Sequence, residues 1–273
     1  MFNGGILGKL NSPVASGAKS GVWSIRELYL GEQSSNWRQF PSSGLQLLLD
    51  AGNPASYSGS GTTWTNLMGT GNFTINQSAY NSSGVKFMDF NGSFGCAKKI
   101  DSDFTALGTD NVTFVTWTRI TQSTSNWRTL LRGLSSGGDH QVIIQSGAYT
   151  IGMYDNVNAS AFNSSGFNQN SIPGWNTGQW NMLVWRWRGG SSPYYNFSYN
   201  DSPNIIRGSN TSSNARFKNG ICSIGAYNEA LQSNPSTASQ YWGDIAACYG
   251  YNRYLTDQEI LDIFSATRAR YGM

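Results

Sequence analysis

Val112-Thr113-Phe114-Val115-Thr116-Trp117-Thr118-Arg119 alternates threonine with bulky apolar residues. Successive side chains on a strand point to opposite faces, so this stretch reads as a half-buried β-strand. Short runs of the same kind flank it at residues 45–50, 85–90, 128–134, 141–145, 149–154, 180–188, 194–199, 221–226 and 242–251. Turn clusters separate them: Gly52-Asn53-Pro54, Asn91-Gly92 and Gly189-Gly190. Asn91-Gly92 suits a two-residue hairpin, because both positions tolerate positive φ. Many short strands without helical patterns between them predict an antiparallel sandwich or barrel.

One helix is predicted, at the far end of the chain. Thr256-Asp257-Gln258-Glu259 is a capping box, in which hydroxyl and carboxylate satisfy each other's free amides. Ile260, Ile263, Phe264 and Thr267 then fall on one face. Arg268 and Arg270 suit the negative end of the helix dipole, and Gly272 can end the helix.

The 273 residues are 38% apolar, 14% aromatic and only 12% charged. Such aromatic content excludes global disorder. A net charge of +3, with no basic run beyond Lys98-Lys99, argues against nucleic acid as partner. No stretch approaches the roughly 20 apolar residues that span a bilayer, so no membrane insertion is expected. The N-terminus lacks a basic start followed by a long apolar run, which places synthesis in a cytoplasm. Cys96, Cys222 and Cys248 are odd in number and far apart, and are read as small buried apolar residues.

Three segments resemble the concanavalin A-like lectin and laminin-G-like jelly rolls found in bacteriophage virion proteins. The first runs from Leu47-Leu48-Leu49-Asp50-Ala51-Gly52-Asn53-Pro54 to Thr63-Trp64-Thr65-Asn66-Leu67. The second is Phe87-Met88-Asp89-Phe90-Asn91-Gly92-Ser93. The third runs from Gly243-Asp244-Ile245 through Tyr254-Leu255-Thr256-Asp257-Gln258-Glu259-Ile260 and closes on Arg270-Tyr271-Gly272. A shorter stretch, Gly21-Val22-Trp23-Ser24-Ile25-Arg26-Glu27 with Trp37 and Pro41, is similar to a module at the start of virion proteins of tailed phages; the usual Trp-Pro ending is here Trp37-Arg38-Gln39-Phe40-Pro41.

The resemblance implies an all-β, antiparallel β-sandwich (jelly roll, concanavalin A-like) with a C-terminal helix and an N-terminal docking arm. Residues 1–41 are expected to form the arm and residues 42–273 the sandwich. The arm is polar with a few large anchors, Trp23, Leu28, Tyr29 and Trp37, which it cannot bury alone. They are expected to attach it to other virion proteins, with a homo-oligomer as the assembled form and the virion as the location. Two alternatives stand beside a tail-fibre or adhesin role: a capsid decoration protein without ligand, and a cell-derived carbohydrate-binding lectin.

Glycoside hydrolysis is the enzyme class to test on this fold, and it needs a pair of carboxylates. Glucan-hydrolysing relatives of the resembled family carry Glu-x-Asp-x-Glu on one strand. The chain has four glutamates, Glu27, Glu32, Glu229 and Glu259, and none falls among the central strands. Gly133-Leu134-Ser135-Ser136-Gly137 precedes the single histidine, His140, but sits between two apparent strands, whereas a nucleophile elbow needs a strand-to-helix turn. Asp101, Asp103, Asp110, Asp50 and Asp244 are read as turn-capping oxygens rather than calcium ligands. No catalytic residue, metal ligand or cofactor is therefore expected. Repeated Asn-x-Ser/Thr, at Asn72, Asn111 and Asn196, does not imply glycosylation without a secretion signal. Sugar binding needs an aromatic face beside amides, and three turn-like contexts offer it: Trp64 with Asn66, Trp127 with Asn126, and Trp175 with Asn176. These are the candidate contacts to a host surface glycan, whereas Trp117, Trp185 and Trp187 lie in strands and are expected to fill the core.

Overall fold

The computed structural model describes residues 40–69, 71–76, 78–90, 96–98, 104–120, 127–133, 139–156, 161–200, 206–218, 220–225, 241 and 243–273. The arm anchors Trp23, Leu28, Tyr29 and Trp37 lie outside these residues, as do Asn126, Asp101 and Asp103.

The chain forms strands β1 (Leu45–Asp50), β2 (Thr63–Trp64), β3 (Phe73–Asn76), β4 (Ala79–Asn81), β5 (Phe87–Asp89), β6 (Cys96–Lys98), β7 (Val112–Ile120) and β8 (Arg128–Gly133). There follow β9 (Asp139–Ile144), β10 (Thr150–Asp155), β11 (Ala161–Asn168), β12 (Asn181–Trp187), β13 (Tyr195–Tyr199), β14 (Gly208–Asn210), β15 (Ser223–Ile224) and β16 (Gly243–Tyr251), then helix α1 (Asp257–Thr267). One sheet has the order β14-β13-β12-β7-β16-β5-β4, with β1 also paired to β16; the other runs β11-β10-β9-β8-β15-β6-β3-β2. The described strand pairings are antiparallel, and the two sheets enclose one core, as the sandwich reading requires.

A second apolar layer lies on the outer face of the first sheet, under α1. It changes the reading of β7. Val112, Phe114 and Ile120 face the inter-sheet core, while Val115 and Trp117 face the helix layer, so both faces are covered. The expectation of a half-buried strand fails because β7 is central in its sheet and α1 crosses its outer side. Its threonines are buried, and Thr116 and Thr118 bond to the neighbouring strand. Thr116 donates to the Ala247 carbonyl (3.1 Å). Thr118 donates to the Asp244 carbonyl (2.7 Å) and lies 2.9 Å from the Tyr241 hydroxyl. These bonds flank the bulge between Ile245 and Ala247, where the ladder loses register.

Helix α1 forms as its sequence dictates. Both halves of the capping box are present, and Ile260, Ile263, Phe264 and Thr267 are its buried face. Glu259 also accepts two bonds from Arg253 (2.9 and 2.6 Å), and that pairing pulls its carboxyl down to about 2. Trp117 stacks on Tyr271 (centroids 4.0 Å) and Phe264 (5.8 Å), and its indole N–H donates to the Thr267 hydroxyl (2.9 Å). Burying a ring of this size contributes about 4–6 kcal/mol before ordering costs. A short 3₁₀ turn, Arg268–Tyr271, follows and ends on Gly272 at φ 74°. Arg270 reaches back from it to the fully buried Asp50 (2.7 and 2.8 Å) and lies flat against Gly52, where a β-carbon would collide with the guanidinium.

Phe40 and Pro41 are buried, with Phe40 edge-on to Tyr249 at 5.2 Å. Trp117, Trp185 and Trp187 are core residues, as expected, and Cys222 and Cys248 are buried. Burial pushes the Cys248 thiol up to about 12. Strands β2, β3, β4, β6, β11 and β14 went unread in the sequence. They are short or, like Ala161-Phe162-Asn163-Ser164-Ser165-Gly166-Phe167-Asn168, rich in residues with low strand propensity.

Candidate functional site

The three tryptophans chosen for turn-like surroundings separate in the fold. Trp64 is 0% exposed, because β2 pairs with β3 and turns the ring into the inter-sheet core. Trp175 is 2% exposed and packs into the same core from the 3₁₀ turn Trp175–Thr177 between β11 and β12. Neither presents a ring face to solvent, which corrects the expectation of two exposed platforms. Asn66 is buried too. It accepts from the amides of Leu48 (2.8 Å) and Met68 (3.2 Å) and donates to the Gln46 carbonyl (2.9 Å), so its amide pins a loop to β1. The Asn176 side chain and residue Asn126 lie outside the described residues.

Trp127 is different. It is half-buried and lies on the outer face of the second sheet, edge-on to Tyr154 (5.7 Å, 84°) and to Phe162 (5.5 Å, 71°). The pairing of β8 to β11 explains the assembly. Arg132 pairs with His140, His140 with Tyr154, and Tyr154 with Phe162, so the four side chains share one face. Ile144, Ile151 and Met153 occupy the opposite face, in the core. Gly152 supplies the floor: a β-carbon there would sit 2.6 Å from the Phe162 ring and 2.5 Å from the Asn163 carbonyl. Only glycine lets the ring lie down against the strand. Tyr154 and Phe162 are half-buried like Trp127. The trio is a cluster of three half-buried aromatic rings on one face of the second sheet.

His140 borders the trio, 6.2 Å from Tyr154 and 5% exposed. Its Nδ1 and the Thr129 hydroxyl are 2.7 Å apart and share a hydrogen. Burial, helped by the Arg132 guanidinium, pulls its pKa from 6.5 to about 3. The imidazole is thus neutral at ordinary pH, a fixed polar neighbour rather than a charge. No sequence signal linked His140 to Trp127; the register of three strands brings them together.

Several carboxylates are held by cations. Asp89 and Asp244 are direct cross-strand partners, and Asp244 accepts from Arg119 at 2.5 Å. The Arg119 guanidinium lies over Phe87 (4.7 Å) and Trp180 (5.1 Å). Asp139 and Asp155, both buried, share the Lys218 ammonium at 3.9 and 3.5 Å. Asp50 and Asp244, weighed as calcium ligands, each hold an arginine. Among the described residues no group of three His, Cys, Asp or Glu is placed to hold a metal, and no helix is long and apolar enough to cross a membrane.

No family model matches the chain, and no curated protein matches it in sequence. Solved structures do. A Trypanosoma rangeli sialidase mutant displaying trans-sialidase activity is 15% identical, with a TM-score of 0.55 over 86% of this chain and 35% of its own. The same sialidase in complex with 2,3-difluoro-KDN is 14% identical, with a TM-score of 0.56 over 84% and 33%. The binding domain of botulinum neurotoxin DC in complex with SialylT is 11% identical, with a TM-score of 0.55 over 82% and 51%. The chain spans about a third of the sialidase chains and half of the toxin chain. At these identities the likeness is one of fold, and the chain is an antiparallel β-sandwich similar to parts of these proteins.

Proposed function

We propose that the chain is a non-enzymatic, glycan-binding virion protein of a tailed phage, an appendage whose sandwich touches host surface sugar and whose arm, residues 1–41, attaches it to other virion proteins. The observation that carries the sugar reading is the Trp127–Tyr154–Phe162 surface over Gly152. Half-open aromatic rings stack on the C–H face of a pyranose, while neighbouring polar groups direct its hydroxyls. The similar fold of a toxin binding domain in complex with SialylT, and of sialidases, supports sugar as the ligand class. The reading without hydrolysis is supported by carboxylates already engaged by Arg119 and Lys218. The phage setting rests on the sequence resemblance.

The test is glycan-array and host-cell binding by wild type, Trp127→Ala and Trp64→Ala. Trp127→Ala is expected to abolish binding with a loss of stability under about 1 kcal/mol, because a half-open ring contributes little to folding. Trp64→Ala is expected to cost about 3–5 kcal/mol. If folded Trp127→Ala binds as wild type does, the site is wrong. A wild-type protein that binds no glycan favours the decoration role instead.

A further inference from the structure

The opposite side of the sandwich carries a different kind of surface. Arg186 follows Met182 and Val184 at two-residue spacing on the outer face of the first sheet, and Arg188 continues the row just past β12. Both guanidiniums lie on one ring. The Arg186 Cζ is 4.8 Å and the Arg188 Cζ 4.2 Å from the centre of Tyr254. Arg186 is spent on structure, donating to the Leu255 carbonyl (3.0 Å) and to Asp257 (2.7 Å). Arg188 is not: it is half-buried and has no carboxylate partner among the described residues. Its backbone amide donates to the carbonyl of Tyr194 (3.0 Å), whose own ring carries the exposed Arg216 guanidinium at 4.7 Å. The result is a corner with two arginines on tyrosine rings, neither in an ion pair among the described residues, with the Asp110 carboxylate packed against the neighbouring Gly189.

We propose that this corner is a second binding surface, for a carboxylate-bearing sugar such as a hexuronic acid. A guanidinium held over a ring is restrained in position, and its fork of N–H donors matches the two oxygens of a carboxylate. A phosphate can occupy the same fork, so the choice of a sugar acid rests on what lies beside the arginine. The α1 N-terminus beside this corner is already closed by its own capping box. Tyr254 adds the second half. Its hydroxyl accepts from Asn196 Nδ2 (2.8 Å), which leaves its own hydrogen to donate. Arg188 and the Tyr254 hydroxyl together read a carboxylate and a hydroxyl side by side. Sugar acids present that pair, whereas aspartate and glutamate side chains present the carboxylate alone. The surface is independent of the Trp127 site.

The experiment is calorimetric titration of the full chain with tetragalacturonate, against neutral galacto-oligosaccharide, oligoglutamate and oligophosphate of similar length. Tetragalacturonate is expected to bind, and binding to weaken at about 0.5 M salt, as contacts between exposed charges do. Arg188→Ala is expected to lower affinity about tenfold or more, the scale of a charged hydrogen-bond pair. Arg188→Lys should fail to restore it, and Tyr254→Phe, which removes only the hydroxyl, should weaken it severalfold. Trp127→Ala should leave this binding unchanged, so failure here is distinct from failure of the aromatic site. Unfolding midpoints equal to wild type establish that the variants are folded. The proposal is overturned if tetragalacturonate does not bind, if folded Arg188→Ala binds it undiminished, or if oligoglutamate or oligophosphate binds as tightly.

Discussion

His140 shows how a single residue is set by its surroundings. It is the only histidine in the chain, and burial beside Arg132 holds its pKa near 3. The unfolded chain takes up this proton near pH 6.5. Between about pH 6.5 and 3 the unfolded state therefore binds more protons, and folding stability falls as the pH is lowered. That contribution is complete above pH 6.5 and lost as the pH approaches 3. Two outcomes follow: the lone imidazole resonances of the folded protein should not titrate between pH 5 and 8, and His140→Asn should flatten the acid limb of the thermal midpoint. An imidazole titrating near 6.5 in the folded protein would show the ring to be solvated.

At the scale of elements, α1 combines a strong local code with a tertiary role. Losing the capping hydroxyl in Thr256→Ala should cost about 1 kcal/mol by chemical denaturation, since one helix amide loses its acceptor. The Glu259 half of the box is held ionised by Arg253, with its pKa at about 2. Its contribution is present above about pH 4.5 and fades as the pH falls toward 2. The cap penalty should therefore be the same at pH 5 and pH 7; a penalty confined to neutral pH would contradict the Arg253 pairing. The edge strand β11 makes the opposite case. Its polar sequence has little strand propensity, and it is held by pairing with β10 and by contacts such as the bond from Asn210 Nδ2 to the Ser164 carbonyl (2.7 Å).

For the whole molecule, the layering matters most. The first sheet is buried on both sides, by the second sheet and by α1, and the last turn is locked to β1 through Asp50 and Arg270. Removing residues 257–273 would bare Val115, Trp117, Val184 and Tyr249 together. An apolar surface of that kind on a soluble chain drives association. The truncated chain is expected to lose its near-ultraviolet circular dichroism and to aggregate; a truncated monomer with a native spectrum would mean that the helix is an accessory. The two proposed surfaces lie on opposite outer faces, one aromatic and one cationic.

Local pattern carried a great deal. The capping box and the i, i+3, i+4, i+7 face placed the start and the buried face of α1, alternation placed β7, and short runs bounded by turn residues placed β1, β12 and β16. The same logic sent Trp117, Trp185 and Trp187 to the core. Burial next to turns was another matter. Trp64, Trp127 and Trp175 have similar polar neighbours in sequence, yet only Trp127 stays partly open. What separates them is which distant strand or sheet arrives over each ring, and no local period encodes that. The aromatic surface likewise exists only through the register of β8, β9, β10 and β11, and the cationic corner only because Tyr254, just before α1, folds back over β12. Sequence fixes what each segment can be, whereas long-range packing decides which of its faces is left for solvent and for ligands.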